Sequence, residues 1–164
     1  MDGQVIYHEE QTFGRWWVGV VIALLAIPVA FIALESLARP VPLVPSLLSI
    51  ALFLPIAAVF LLARLVVDVT PDDVRVSFHF LWPTRRIRVA DIRRAHATRY
   101  RPLADYGGGG VRLSWAGWAF NTGGAEGVLV ETEHGRPIMI GSRHAKELEA
   151  AIGRAMAERP ARPS

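Results

Sequence analysis

Two uncharged apolar stretches fill most of the first 67 residues of this 164-residue chain. The first runs from Trp16 to Leu34 and the second from Val41 to Ala63, with Pro45 near its start. A helix needs roughly 20 apolar residues to cross a hydrocarbon core of about 30 Å, and each stretch is long enough. Only Glu35 to Pro40 lie between them. The pattern predicts a two-helix transmembrane hairpin over residues 15–67, with spans at about 16–34 and 44–66 and a tight turn. Pro28 and Pro55 fall inside the spans and should bend them locally. Gly19, Ala23, Ala26 and Ala30 put small side chains on one face of the first span, which suits close packing against the second.

Beyond residue 67 the periodicity changes. Residues 1–14 read as a polar tail, with Val5-Ile6-Tyr7 able to form a short strand. Asp68 to Asp73 carries turn chemistry around Pro71. Val74 to Phe80 then alternates, with Val74, Val76, Phe78 and Phe80 on one side and Arg75, Ser77 and His79 on the other. Pro83 breaks that strand. Arg85 to Val89 alternates again, with Ile87 and Val89 inward and Arg86 and Arg88 outward. Further strands are expected at Ile92–Tyr100, Val111–Trp115, Trp118–Asn121, Gly127–Glu133 and Pro137–Ile140, the last two as a hairpin around His134-Gly135. Ser142 can cap a helix from about Arg143 to Glu158, whose apolar stripe is Ala145, Leu148, Ile152, Ala155 and Met156. Seven short antiparallel strands and one amphipathic helix suit an α+β domain over 68–158, a bent sheet or small barrel with the helix plugging its open end. Residues 159–164 are expected to be a disordered tail.

The charge balance adds topology. The chain has 18 basic and 15 acidic residues. Only Arg15, Arg39 and Arg64 among the basic ones precede residue 66, so the basic excess belongs to the C-terminal domain. Positive residues near spans stay cytoplasmic, and a hairpin returns both ends to one side. The expectation is an inner-membrane protein with two spans and both termini cytoplasmic. The acidic start and the second apolar run argue for a retained anchor over a cleaved signal peptide. Cysteine is absent, which removes disulfides, thiolate nucleophiles and cysteine metal sites.

Taken together, the segments Tyr100-Arg101-Pro102-Leu103, Tyr106-Gly107-Gly108, Ala119-Phe120-Asn121, Gly127-Val128-Leu129-Val130 and Ile140-Gly141-Ser142 with Glu147-Leu148 form a pattern. Tyr7, Glu9, Glu10 and Gln11 ahead of the first span complete it. The chain resembles small bacterial membrane proteins that join a two-helix hairpin to a pleckstrin-homology-like (PH-like) domain. Where such chains often carry an aromatic within the glycine loop and a tyrosine before the asparagine, Gly109 and Phe120 stand here. The resemblance implies a fold and a membrane location, and no reaction.

Candidate chemistry is sparse. Arg85, Arg86, Arg88, Arg93, Arg94, Arg99 and Arg101 form a dense basic segment, suited to an anionic lipid surface or a partner, or else simply a solvated face. Tyr106 with Gly107, Gly108, Gly109 and Gly110 makes a candidate recognition loop. It lacks the following helix and the lysine of a phosphate-binding loop. The five histidines show no metal-ligand spacing, and no serine or carboxylate pair sits in a catalytic arrangement. No cofactor or metal is expected. The favoured expectation is a non-enzymatic, cytoplasm-facing interaction or scaffold module. Its expected partners are the bilayer through the hairpin, other membrane or cytoplasmic proteins, or a second copy of itself. Lipid sensing through the arginines is the alternative, an enzyme a weaker one, and nucleic acid a poor fit.

Overall fold

The computed structural model describes residues 4–13, 15–37, 43–80, 82–114 and 117–158. Residues 38–40 of the expected hairpin turn, Trp115-Ala116 and the tail at 159–164 lie outside the described residues. The elements are β1 (Tyr7–Thr12), α1 (Arg15–Ser36), α2 (Leu43–Leu62), β2 (Arg64–Val69), β3 (Asp73–Phe78), β4 (Trp82–Arg88), a 3-10 turn (Val89–Asp91), β5 (Ile92–Arg99), α3 (Pro102–Tyr106), β6 (Gly110–Ser114), β7 (Gly117–Asn121), β8 (Glu126–Thr132), β9 (Ile138–Gly141) and α4 (Ala145–Ala157). The residues up to Thr12 and from Arg64 onward form one compact unit, and Phe13–Ala63 a second.

In the second unit α1 and α2 are in contact. The Val18–Ser36 stretch, with mean hydropathy 2.6, is long and apolar enough to cross a membrane; the apolar stretch of α2, Val44–Val59, is shorter. The buried side of α1 carries Val21 and Pro28, with Leu24, Leu25 and Ile32 half-buried. Gly19, Ala23, Ala26 and Ala30 are exposed, so the small-residue face is not the packing face expected of it.

The first unit is α+β, with two open sheets. One is β1-β2-β3-β4, antiparallel throughout; the other runs β5-β8-β9-β7-β6. No ladder joins them among the described residues, so the expected barrel is not closed. Seven of the nine strands match the alternating segments. The other two, β1 and β2, flank the helices and pair with each other from Tyr7↔Val69 to Thr12↔Arg64. The domain thus starts at Arg64, four residues before the expected 68, and it recruits the polar tail as an edge strand. Helix α2 ends at Leu62, short of the expected 66, because Leu65, Val67 and Val69 are all buried on the inner face of β2. One pair departs from antiparallel order: β7 lies parallel to β9, Trp118↔Ile138 to Phe120↔Ile140. Gly117, at φ 119°, makes this possible, since a Cβ there would collide with the Pro137 carbonyl oxygen that accepts the Trp118 N–H.

The core follows the alternation. Val74, Val76, Phe78, Ile87 and Val89 are buried, as are Val128, Val130 and Ile140 of the second sheet. Phe80 breaks the expectation: β3 ends at Phe78, and Phe80 turns outward at φ 65°. Pro83 does not break a strand; it is the second residue of the edge strand β4, where a missing N–H costs no ladder bond. Helix α4 starts at Ala145, and its N-cap is His144 rather than Ser142. Leu148, Ala151, Ile152 and Ala155 are fully buried, against β5, β8, β2 and the 3-10 turn, while Met156 is only half-buried. Each large apolar side chain buried this way contributes about 1.5–3 kcal/mol.

Candidate functional site

Alternation along β4 divides its arginines. Arg86 and Arg88 point outward and are exposed, whereas Arg85 lies with Ile87 on the inner side and is half-buried. The Arg85 guanidinium sits 5.1 Å from the Trp118 ring centroid, an arrangement worth about 0.5–1 kcal/mol at a partly exposed site. Beyond β4 the chain makes its 3-10 turn, and Asp91 there accepts from Arg88 Nε at 2.9 Å. The β8–β9 turn comes alongside. Together Arg85, Arg86, Arg88 and Arg136, with Asp91 and His134, line a cleft of about 180 Å³. The described lining thus holds four arginines and one carboxylate residue.

A further arginine adds to the positive field. Arg75 stands directly across from Arg86 in the β3–β4 ladder. Like charges so placed are destabilising by a few tenths of a kcal/mol or more. The nearest carboxylate oxygen to Arg75, on Asp73, is 3.9 Å away, and the buried Arg75 Nε has no hydrogen-bond partner among the described residues. An anion seated over β4 would relieve this repulsion.

The seven candidate arginines do not form one face. Arg85, Arg86 and Arg88 belong to the first sheet. Arg93, Arg94 and Arg99 belong to β5 of the second, and Arg101 follows it. Arg94 stands opposite Glu131, and Arg99 is committed to Glu126 through Nε at 3.0 Å and Nη2 at 2.9 Å. Arg99 and Glu126 help line a separate groove of about 430 Å³ with Lys146 at the start of α4. Arg93 and Arg101 are exposed. Arg136 escaped the sequence reading because it is 35 residues beyond the dense segment; its signal is the turn Glu133-His134-Gly135 just before it.

The glycine segment packs inward. Tyr106 is buried and meets Tyr100 edge-on, ring centroids 5.8 Å apart. Burial raises the hydroxyl pKa of both above the ordinary tyrosine value. Gly107 is exposed, while Gly108, Gly109 and Gly110 are buried. Asn121 lies over them, its Nδ2 donating to the Gly108 carbonyl at 3.4 Å and its Oδ1 accepting from the Gly123 N–H at 2.9 Å. The candidate recognition loop therefore presents Gly107 outward and uses its other members in packing.

A second polar cluster forms around β1. Glu9 is buried, and its Oε2 accepts from the Tyr7 hydroxyl at 2.8 Å and from the Ser142 hydroxyl at 2.6 Å. Its Oε1 accepts from the Arg143 N–H at 2.9 Å. Gln11 donates to the Gly141 carbonyl at 2.9 Å and accepts from the Thr122 hydroxyl at 3.0 Å. Ser142 Oγ in turn accepts the His144 N–H at 3.0 Å. This cluster clasps the N-terminal strand to the β9–α4 junction. It joins Tyr7, Glu9 and Gln11 to Gly141 and Ser142, near opposite ends of the chain. No group of three or more His, Cys, Asp or Glu residues suited to a metal ion occurs among the described residues. No family model matches the chain, and no curated protein matches it.

Proposed function

We propose that this chain is a membrane-held, non-catalytic interaction module with a PH-like domain. Helices α1 and α2 cross the inner membrane as a hairpin, both termini stay cytoplasmic, and the cleft beside β4 receives an acidic segment of a protein partner. Two features of the helices support the anchor. Only 11% of the Val18–Ser36 stretch is buried within the protein, and Leu47, Leu48, Leu52 and Leu54 of α2 are exposed as well. In water each such leucine forgoes about 1.5–3 kcal/mol of burial, so an apolar solvent suits them. The full α2, 20 residues long, reaches about 30 Å at 1.5 Å per residue.

The observation that carries the interaction reading is the convergence on one cleft of three arginines from β4 and a fourth from the β8–β9 turn, with Asp91 the carboxylate among the lining residues. Guanidinium groups bind carboxylates as two-pronged forks, which gives both attraction and register. The test is cross-linking and co-purification from native membranes with the full chain. Arg86→Glu combined with Arg88→Glu should lose the partner and move the thermal midpoint little, since both side chains are exposed and relief of the Arg75–Arg86 repulsion offsets the lost Arg88–Asp91 bond. Undiminished capture by the double variant would refute the reading.

The same cleft supports a second reading, in which it takes the phosphate of an anionic lipid. The full chain in neutral vesicles would then cluster added anionic vesicles, and salt would suppress this, because screening shortens the field to about 8 Å at physiological ionic strength. The protein-partner reading expects no such clustering.

A further inference from the structure

Among the described residues outside Phe13–Ala63, Phe80 is the most exposed large apolar side chain, at 71%. Its backbone lies in the left-handed region at φ 65°, an uncommon conformation for a bulky residue. Trp82, at 45% exposure and with its ring centroid 6.1 Å from that of Trp118, opens β4 just after it. The domain thus holds an aromatic in water at some conformational expense, with a second beside it.

The register of the first sheet says where this turn lies. Thr12 pairs with Arg64 at one end of the β1–β2 ladder, and the His79 N–H donates to the Arg64 carbonyl at 2.9 Å. The β3–β4 turn therefore caps the end of the sheet from which β1 runs on toward α1 and at which β2 begins after α2. Arg64 is two residues past Leu62, so chain length alone keeps it within about 8 Å of the end of α2. Val5 is at the other end of the sheet, since the next residue, Ile6, donates its N–H to the Val69 carbonyl.

We propose that Phe80 and Trp82 form a wedge that enters the headgroup region of the bilayer. This rests on the reading of α1 and α2 as spans. Trp favours that region because its amphipathic ring sits at the headgroup level, and Phe gains by burying its apolar ring at the acyl boundary. His79 adjoins Phe80, and Arg64, whose Nη1 donates to Glu10 Oε1 at 2.6 Å, lies across the ladder, so a polar rim surrounds the turn at the level where headgroups would lie while the rings pass below. The wedge gives the domain a contact with the membrane besides its two covalent links, and so fixes how it stands there. Arg86 lies four residues further along the strands, in the row of His8, Asp68 and Arg75, about 13 Å away at 3.3 Å per residue. The wedge thereby keeps the arginine cleft clear of the surface and open to a partner.

The chain has no cysteine, so single introduced cysteines carry a nitroxide label cleanly. The test places labels at Phe80→Cys, Trp82→Cys, Val5→Cys and Ile27→Cys in the full chain reconstituted in vesicles. Oxygen, which partitions into lipid, and a water-soluble nickel chelate then report depth. The 80 and 82 labels each leave the other aromatic in place. Both, like the label at 27 inside α1, should favour oxygen over chelate several-fold more than the label at 5. If 27 reads as lipid while 80 and 82 read as aqueous like 5, the wedge alone is refuted. If 27 reads as aqueous, the anchor fails and the wedge with it. If 80 and 82 are shielded from both probes, the turn is covered by protein and the wedge is again refuted.

Discussion

Replacing Glu9 with alanine should loosen the N-terminal strand and the start of α4 together. The carboxylate accepts three bonds, from the Tyr7 and Ser142 hydroxyls and the Arg143 N–H, all between 2.6 and 2.9 Å. Hydrogen bonds to a charged group contribute about 1.5–3 kcal/mol each, so the low end for three gives roughly 4–5 kcal/mol. Tyr7 is half-exposed and its hydroxyl can turn to water, which reduces the expected loss to about 3–4 kcal/mol, a large part of the roughly 5–15 kcal/mol of a whole domain. Glu9→Gln keeps the shape and one acceptor oxygen and should lose less. The assay is amide hydrogen exchange on the full chain in detergent, with urea unfolding alongside. In Glu9→Ala, exchange should quicken across Tyr7–Thr12 and at the first turn of α4, segments more than 130 residues apart. Ser142→Ala should produce the same pattern, and the double variant should lose less than the sum, because the two side chains share a bond. Unchanged protection in both segments, or full additivity, would refute the clasp.

Leu148→Asp should unfold the domain, since it sets an unpaired charge at a position with no solvent exposure, at several kcal/mol; a retained thermal midpoint would show that α4 does not plug the core. Gly117→Ala should cost about 1–3 kcal/mol through positive φ and collision with the Pro137 carbonyl, and should quicken exchange of the Trp118 N–H in the parallel β7–β9 pair. Tyr7, Tyr100 and Tyr106 all have their pKa raised above 10, with burial the leading cause. Unfolded tyrosines lose protons near pH 10 while the folded ones keep them, so stability present below pH 10 should fall as pH rises beyond it. Tyr100→Phe should flatten that alkaline decline in urea titrations and be neutral or stabilising at pH 7, because the buried Tyr100 hydroxyl has no partner among the described residues.

Strand β3 and helix α4 were legible because their inner positions are apolar with clean periods of two or of three to four residues, while β5 and the fully buried β9 were marked by the turn residues around them. Strands β1 and β2 were hidden for opposite reasons. In β2, Leu65-Val66-Val67 continues the apolar run of α2, so hydropathy does not change where helix becomes strand; Arg64 is the one break. In β1, the inward residues are Tyr7, Glu9 and Gln11, which are held by hydrogen bonds, and a pattern search for buried apolar side chains passes over them. The basic segment was plain as composition and opaque as a surface. Its residues divide between two sheets at the 3-10 turn, and Arg136 joins the β4 members from a distant turn. Phe80 fits the alternation of β3 perfectly, and only its positive φ takes it out of the core.

The pairing of β1 with β2 across the whole hairpin, and of Glu9 with Ser142, imposes an order in time. During synthesis β1 leaves the ribosome before its ladder partner, which begins at Arg64, after both apolar helices have been made. Its clasp comes later still, when residues 142 and 143 emerge. Contacts so distant in sequence close slowly, because the intervening chain must be ordered before they repay its entropy. Both apolar helices are therefore complete before the sheet can close. A chain that stops short of α4 leaves its first strand held along one edge only. Ser142 thus secures β1 133 residues after Glu9 is made, and protection of β1 reports that synthesis has reached α4.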